Sequence, residues 1–256
     1  MNAIDYTFAD YENLLDAAIN AGYEFLSVEK YLRAIELPER FIVLRHDVDR
    51  KEANAAIMAK CEAARDITAT YYFRTSTFDS ELIQTIADQG HEIGYHYEDL
   101  SQTDGDIRAA HQRFQEQLGR FRQHAAIDTV CAHGSPLSRY TNTDMWKNGH
   151  SPEAYGLLGE AYLSIDVNTE LGLDYFSDTG RTWATQPPSI SAIRTTDNLI
   201  KAIERQTCSQ IYLLTHPSRW ANSQLELIER LTWDIGAEAT KFLVSKLPQS
   251  SVYSLS

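Results

Sequence analysis

The stretch Phe41-Ile42-Val43-Leu44-Arg45-His46-Asp47-Val48-Asp49 indicates both the fold and the candidate site of this 256-residue chain. It begins with an apolar run of aromatic and branched residues, which is typical of a buried strand. Asp47 and Asp49 are two residues apart, so an extended backbone directs both carboxylates to the same side. Two converging carboxylates repel each other, and a cation or a shared proton relieves that repulsion. The pattern therefore predicts a functional site where the strand ends.

The composition is that of a globular protein with a strong negative charge. The chain has a mass of 29.0 kDa, 43% hydrophobic residues, a net charge of −13 and a pI near 5.0. Nucleic acids and anionic membranes bind clustered Lys and Arg, so we expect neither as a partner. We also expect no membrane span, because no apolar run approaches the roughly 20 residues that a membrane helix needs. The N-terminus lacks the features of a signal peptide, and the three widely spaced cysteines suggest reduced thiols, so we expect a cytoplasmic protein.

Predicted strands and helices alternate along the chain, which favours βαβ units and a parallel sheet. We expect one domain over residues 1–256, because neither a repeat nor a linker interrupts this alternation. The predicted strands cover residues 41–46, 69–74, 92–97, 128–133, 163–167, 190–193 and 210–215. The predicted helices cover residues 8–21, 28–35, 51–64, 80–88, 103–122, 197–206 and 223–246.

Several predicted strands end in polar residues that suit metal chemistry. Parallel strands end at one edge of a sheet, so the side chains that follow them share one mouth. A cluster of His and Asp at such a mouth suits a divalent metal with an open position, and zinc is the metal we expect. Such an ion polarises a carbonyl and lowers the pKa of a bound water, and both effects serve hydrolysis. The polar residues at these strand ends are Arg45, His46, Asp47, Asp49, Arg74, His96, Glu98, Asp99, His133 and His216.

Three motifs resemble those of the polysaccharide deacetylase family, which has the NodB-type deacetylase fold. The motifs are Arg45-His46-Asp47-Val48-Asp49, Gly90-His91-Glu92-Ile93-Gly94-Tyr95-His96 and Leu213-Leu214-Thr215-His216. The chain is most similar to a divergent branch that has His-Asp-Val-Asp where the family has Thr-Phe-Asp-Asp-Gly. The resemblance implies an α/β fold, a distorted, incomplete (β/α) barrel of about seven parallel strands.

The resemblance implies catalytic roles for Asp47 and His216. Asp47 falls on the family's general base, which activates the attacking water. His216 falls on the general acid, which protonates the leaving nitrogen.

The resemblance also implies a metal site, with one departure from the family pattern. Asp49 and His96 fall on metal ligands, but the family's second metal-binding His falls on Leu100. The third ligand must come from elsewhere. Glu98, on the same side of the strand as His96, is one candidate, and His133 is the one we favour because imidazole from a neighbouring strand end reaches the mouth easily.

Substrate contacts are expected from residues beside this site. Arg181 can pair with a carboxylate or phosphate, and Trp183 or Trp220 can stack on a sugar face. Arg74 is expected to pair with Asp47 or Asp49 and orient them. The predicted substrate-binding residues are Arg74, Glu98, Asp178, Arg181, Trp183 and Trp220.

The function that the resemblance implies is metal-dependent removal of an N-acyl group, expected to be acetyl, from a sugar. A nucleotide-linked or lipid-linked sugar precursor is the expected substrate, with a role in making surface polysaccharide such as lipopolysaccharide or capsule. Two alternatives stay open. One is hydrolysis of a cyclic amide or an N-formyl group on the same scaffold, and the other is a catalytically silent carbohydrate-binding protein, because Leu100 replaces a metal-binding His.

Overall fold

The computed structural model describes residues 5–135, 138–167, 172–186 and 193–227, and helices and strands alternate along most of them. The strands are β1 (Glu24–Leu26), β2 (Phe41–Val48), β3 (Thr70–Phe73), β4 (Glu92–Tyr97), β5 (Thr129–Ala132), β6 (Gly159–Glu160), β7 (Asp174–Ser177), β8 (Ala184–Gln186) and β9 (Gln210–Thr215). The helices include α1 (Phe8–Asn20), α2 (Val28–Arg33), α3 (Glu52–Ala63), α4 (Ser80–Asp88), α5 (Asp99–Gln102), α6 (Ile107–Phe121) and α7 (Thr196–Glu204).

The strands form one curled, open sheet in the order β6-β5-β4-β3-β2-β9-β7-β8, and β1 pairs with the beginning of β2. The pairs are parallel apart from β7 with β8, which is antiparallel. The predicted α/β fold with an incomplete barrel of mostly parallel strands is therefore confirmed. β2 lies between β3 and β9, so its carboxyl end is flanked by the ends of two other strands.

β2 is buried along its whole length, because parallel sheets are covered on both faces. Ile42 and Leu44 pack into the larger hydrophobic core, which the helices contribute to. Phe41 and Val43 pack into a second cluster that contains Tyr72 and Tyr212 from the flanking strands. Because side chains alternate along a strand, Arg45 and Asp47 follow Phe41 and Val43 on one face, and His46 lies on the other.

The helices begin where the sequence supplies a capping side chain. At α1, Thr7 and Asp10 form a capping box, and the buried residues of the helix include Tyr11 and Leu14. At α4, the side chain of Asp79 accepts hydrogen bonds from the N–H groups of the first turn, and the helix matches the predicted residues 80–88. Among the described residues, no helix combines the length and the hydropathy that crossing a membrane requires.

The prediction for the middle of the chain was wrong in one place and incomplete in others. No strand forms over residues 163–167, because the carboxylate of Glu160 accepts the N–H groups of Tyr162 and Leu163 and turns the chain there. The predicted helix 103–122 begins later than expected, as α6 at Ile107 with Asp106 as its cap, and the short helix α5 that precedes it was not predicted. Strands β1, β6, β7 and β8 were not predicted. Residues 190–192 and 228–246, where a strand and most of a helix were predicted, lie outside the described residues.

Candidate active site

The carboxyl ends of β2, β4, β5 and β9 bring the predicted catalytic and metal-binding residues to one place. Asp47 lies in β2 and Asp49 directly after it, and His96 lies near the end of β4. His133 follows β5 and His216 follows β9. All five side chains are buried or half-buried, so their charges interact with little screening by water.

Three imidazoles surround the carboxylate of Asp49. Its Oδ1 lies 3.5 Å from Nε2 of His96 and 3.5 Å from Nε2 of His133, and its Oδ2 lies 4.0 Å from Nε2 of His216. Burial alone would raise the pKa of Asp49, but these imidazoles, with His96 the strongest, hold it well below its ordinary value. Oδ1 is nevertheless buried without a hydrogen-bond partner among the described residues.

Other groups fix which nitrogen of each imidazole faces Asp49. Nδ1–H of His96 donates to the carbonyl oxygen of Cys131 at 3.0 Å, because a carbonyl can only accept. Nδ1 of His133 lies 3.3 Å from Oε2 of Glu98, a carboxylate that likewise accepts. When the rings are neutral, as metal binding requires, Nε2 of both therefore presents its lone pair toward Asp49, the arrangement usual for histidines that bind a metal.

Asp49, His96 and His133 fit a divalent metal ion. One ligand atom from each lies within 4.8 Å of the others. A buried carboxylate oxygen that lacks a hydrogen bond and faces Nε2 of two imidazoles is an arrangement that a cation would complete. Ligand atoms of a second group, Asp47 with His96 and Cys131, also lie within 4.8 Å of one another. Its Asp47 is already engaged by an arginine, so the first group fits better.

Arg45 holds Asp47 in a two-point ion pair that the sequence analysis did not anticipate. Nε donates to Oδ1 at 2.8 Å and Nη2 donates to Oδ2 at 2.7 Å, and the arginine is fully buried. Nη1 donates to the hydroxyl of Tyr212 at 2.9 Å, and the guanidinium lies 4.3 Å from the ring centroid of Tyr162. Burial tends to raise the pKa of Asp47, but Arg45 lowers it below the ordinary value. The sequence contained the information needed to predict this pair, because Arg45 and Asp47 are two residues apart and therefore share one face of a strand.

Arg74 does not have the predicted partner. It was expected to orient Asp47 or Asp49, but its Nη2 donates to Oε2 of Glu98 at 2.7 Å. The same oxygen faces Nδ1 of His133. Burial raises the pKa of Glu98, but His133 and Arg74 outweigh it and lower the pKa to about 2. Between the two candidates for a third metal ligand, this geometry favours His133, with Glu98 supporting it.

Asp178 fixes the orientation of His216 through hydrogen bonds. Its Oδ1 accepts from Nδ1 of His216 at 2.6 Å, and its Oδ2 accepts from the backbone N–H of His216 at 2.9 Å. Oδ2 also accepts from the indole N–H of Trp220 at 3.1 Å. Burial would lower the pKa of His216, but Asp178 raises it above its ordinary value. Asp178 is fully buried, so its contacts support His216 rather than a substrate.

The burial of the two tryptophans requires a correction to the predicted substrate contacts. Trp220 is 0% exposed and Trp183 is 3% exposed, and both rings pack against Tyr6. A ring enclosed in this way has no free face on which a sugar can stack. The side chain of Arg181 lies outside the described residues.

His46 and His91 belong to a separate buried cluster on the other face of β2. Its centre is Glu62, whose Oε1 accepts from the hydroxyl of Tyr11 at 2.5 Å and whose Oε2 accepts from that of Tyr71 at 2.9 Å. Nε2 of His46 lies 3.0 Å from Oε1, and Nδ1 of His91 lies 3.6 Å from Oε2. We call these residues, Glu62, Tyr11, Tyr71, His46 and His91, the Glu62 network. His46 is thus directed away from Asp49 and is not in a position to bind the same metal.

Comparisons with known proteins give solved structures but no sequence relative. No family model and no curated protein matches the chain. The similar solved structures are CE4 family proteins. A mutant of BA3943 from Bacillus anthracis, a CE4 family pseudoenzyme with restored enzymatic activity, is 13% identical at a TM-score of 0.45. The match covers 80% of this chain and 65% of that one, so this chain spans less than two thirds of the other's length.

Two further structures give similar values. A CE4 esterase from Streptococcus mutans is 15% identical at a TM-score of 0.45, with 76% of this chain and 80% of that chain covered. A family 4 carbohydrate esterase from Streptomyces lividans, in complex with acetate, is 14% identical at a TM-score of 0.42, with 79% and 91% covered.

Proposed function

We propose that this protein is a metal-dependent hydrolase that removes an N-acyl group, with acetyl as the expected one, from a sugar or carbohydrate precursor. The observation that carries the proposal is the buried Oδ1 of Asp49, which accepts no hydrogen bond among the described residues and faces Nε2 of both His96 and His133. Asp47 lies 3.6 Å from Nε2 of His96 and His216 lies 4.0 Å from Oδ2 of Asp49, at the ends of neighbouring strands.

Asp49, His96 and His133 would hold the metal. Two imidazole nitrogens and a carboxylate oxygen are a ligand set that zinc accepts, and zinc is the metal we propose. When bound, a divalent ion there would polarise the acyl carbonyl and increase the acidity of the attacking water. Glu98 would keep His133 in the required tautomer through the 3.3 Å contact with Nδ1, as the carbonyl of Cys131 does for His96.

Asp47 and His216 would move the protons. Asp47 would accept a proton from the attacking water, and its two-point contact with Arg45 fixes the carboxylate for that transfer. His216 would donate a proton to the leaving nitrogen. Asp178 occupies Nδ1 of His216, which leaves Nε2 as the atom from which that proton departs.

The substrate we propose is an N-acylated sugar linked to a nucleotide or a lipid carrier. The making of a surface polysaccharide, such as lipopolysaccharide or capsule, is the process in which we place it. The cytoplasmic location expected from the sequence stays a prediction.

Replacement of Asp49 tests the proposal most directly. We expect Asp49→Asn to lose bound metal and to lower kcat/KM for an N-acetylated sugar by about 10³-fold or more, because the neutral amide is a weak ligand. Metal analysis of the purified variant is the measurement that does not depend on choosing the right substrate. The control is Asp197→Asn, which changes an exposed aspartate on α7 and should keep both metal and activity. Stoichiometric metal in Asp49→Asn would remove Asp49 from the metal site.

Replacement of His216 tests the proton donor. We expect His216→Ala to keep its metal and to slow hydrolysis most for amides whose leaving nitrogen is strongly basic, because those need protonation most. A series of anilides and alkyl amides of one acyl group provides the comparison. Equal slowing across the series would show that His216 is not the acid.

The catalytically silent alternative is favoured by one observation, Leu100 in place of the family's second metal-binding His. Leu100 is buried in the hydrophobic core, and its side chain has no atom that can bind a metal. The imidazole of His133 supplies a candidate for the missing ligand, which supports the enzyme. Protein that is purified without metal, takes up none and still binds sugar would favour the silent alternative, and assays with acetyl, formyl and cyclic-amide substrates separate the remaining chemistries.

A further inference from the structure

A polar cleft opens beside the candidate metal site. It has a volume of about 640 Å³, and His133 and Glu98 form part of its wall. Two arginines, Arg74 and Arg139, also line it. In a chain with a net charge of −13, two guanidinium groups lining one cleft next to a candidate active site are a local exception to the charge of the surface.

Both arginines have N–H groups that donate to no acceptor among the described residues. Nη2 of Arg74 donates to Glu98, but its Nε is buried and has no hydrogen-bond partner among the described residues. Arg139 is exposed and makes no ion pair within the described part of the chain. Its guanidinium lies 5.0 Å from the ring centroid of Tyr140, a contact that keeps it at the cleft. Donors of this kind match the oxygens of a phosphate group.

The two acidic residues of the cleft differ in whether neighbouring residues compensate their charge. Glu98 is compensated by Arg74 and His133, which both contact its Oε2. Asp104 is exposed, and no ion pair compensates it within the described residues. Asp104 is therefore the one residue of the cleft that would oppose an anion, which makes it a useful counter-variant.

We propose that this cleft binds the phosphate or diphosphate ester of the substrate, with Arg139 and Arg74 as donors. The assignment of the rest of the substrate depends on the proposed function. In a 2-N-acylated sugar 1-phosphate the amide and the phosphate sit on neighbouring carbons. A phosphate in the cleft would therefore hold the acyl group beside His133 and the rest of the candidate metal site. The substrate class is thus an N-acylated sugar phosphate rather than a neutral glycan.

Calorimetric titration with matched probes tests this proposal. The probes are N-acetylglucosamine 1-phosphate, UDP-N-acetylglucosamine and the uncharged methyl glycoside of N-acetylglucosamine. We expect at least one phosphorylated probe to bind about tenfold more tightly than the methyl glycoside, and less so at high salt. Arg139→Gln should remove about tenfold of that affinity and leave the methyl glycoside unaffected, because the lost contacts are to the phosphate. Asp104→Asn should tighten phosphate binding by about twofold.

Two features of the design keep the outcomes separate. Asp49→Asn, which tests the proposed function, should retain the difference between phosphorylated and uncharged probes even when metal and hydrolysis are lost. Equal affinity for the methyl glycoside and both phosphorylated probes would overturn the inference, as would unchanged phosphate affinity in Arg139→Gln. Arg139 is exposed, so its replacement is not expected to disturb folding, and circular dichroism of the variant checks this.

Discussion

Two clusters of carboxylate and imidazole lie on opposite faces of β2, and they differ in how the carboxylate oxygens are satisfied. In the Glu62 network, both oxygens of Glu62 accept hydrogen bonds from tyrosine hydroxyls. On the other face, Oδ1 of Asp49 is buried and accepts none among the described residues. The residue types are nearly the same, so composition alone would give the two clusters equal claim to a metal. The first cluster also has an atom without a hydrogen bond among the described residues, Nε2 of His46, but only the second leaves a carboxylate oxygen unsatisfied, which favours the second as the metal site.

Access to solvent separates the clusters in the same way. The side chain of Asp49 is 24% exposed and that of His133 is 16% exposed, whereas those of Glu62 and His46 are 0% exposed. A substrate can therefore approach Asp49 but not Glu62. The Glu62 network joins α1, α3, β2 and β3, so we assign it a role in stability.

The largest expected effect comes from replacing Glu62 in one variant and Asp49 in another. Glu62→Gln should lower the free energy of unfolding by about 3 kcal/mol, because the buried carboxylate accepts from two tyrosine hydroxyls and an amide keeps only one acceptor oxygen. Its metal content per folded molecule should stay that of the wild type. Asp49→Asn should show the opposite pattern, with no metal and a smaller loss of metal-free stability than Glu62→Gln, because its contacts with the imidazoles are 3.5 Å or longer and its side chain is 24% exposed. Urea unfolding in chelator and metal analysis of the native protein measure the two quantities.

The comparison fails if the effects do not separate. Metal loss in Glu62→Gln at a temperature where the variant is fully folded would mean that the two faces are coupled. A large loss of metal-free stability in Asp49→Asn would mean that its carboxylate is satisfied without a cation.

Glu92 sharpens the comparison, because it is a buried carboxylate with hydroxyl partners and no ion pair among the described residues. It accepts hydrogen bonds from the hydroxyls of Thr70 and Thr129 and from the N–H of Glu29. Burial raises its pKa from the ordinary 4.5 to about 7. The folded state therefore binds this proton more tightly than the unfolded state. The stabilisation is complete below about pH 4.5 and is lost as the pH rises through 7, by about 3 kcal/mol in total.

Glu92→Gln should remove this pH dependence, since glutamine stays neutral. We expect the free energy of unfolding of the variant to rise relative to the wild type by up to about 3 kcal/mol between pH 5 and pH 8. Urea unfolding at four pH values in this range gives the difference. Glu116→Gln, at an exposed position on α6, is the control and should follow the wild type within about 0.5 kcal/mol. Parallel curves for Glu92→Gln and the wild type would mean that Glu92 is charged in the folded protein at neutral pH.

The sequence predicted the central strands well because local signals and burial agree there. β4 and β9 match the predicted residues 92–97 and 210–215, and α4 matches 80–88. The region around β6 to β8 was predicted poorly, because its short strands are determined by contacts between distant residues. Glu160 turns the chain at the end of β6, because its carboxylate accepts hydrogen bonds from the backbone. A hydropathy pattern does not predict such a turn.

In the candidate site, the sequence predicted positions better than partners. Residues at the ends of parallel strands were expected to meet, and Asp49, His96 and His133 do lie together. Which side chain pairs with which was harder to predict, because pairing depends on rotamers and on the depth of each group. Arg74 was expected to contact an aspartate and contacts Glu98, while Arg45, on the same strand as Asp47, makes that contact.

Arg45 gives the smallest and most specific test of the difference between the two faces. Arg45→Lys keeps the positive charge but loses the fork that contacts both oxygens of Asp47, so the carboxylate is held less firmly. We expect kcat to fall about tenfold, KM to change less than twofold and the metal content to stay constant, because Arg45 is fully buried and cannot contact a substrate. The matched control is Arg65→Lys, since Arg65 makes the same two-point contact with Asp16 at the surface, where such a pair contributes about 1 kcal/mol or less. A rise in KM at constant kcat would instead place Arg45 in contact with the substrate and would end its assignment as a positioning residue for Asp47.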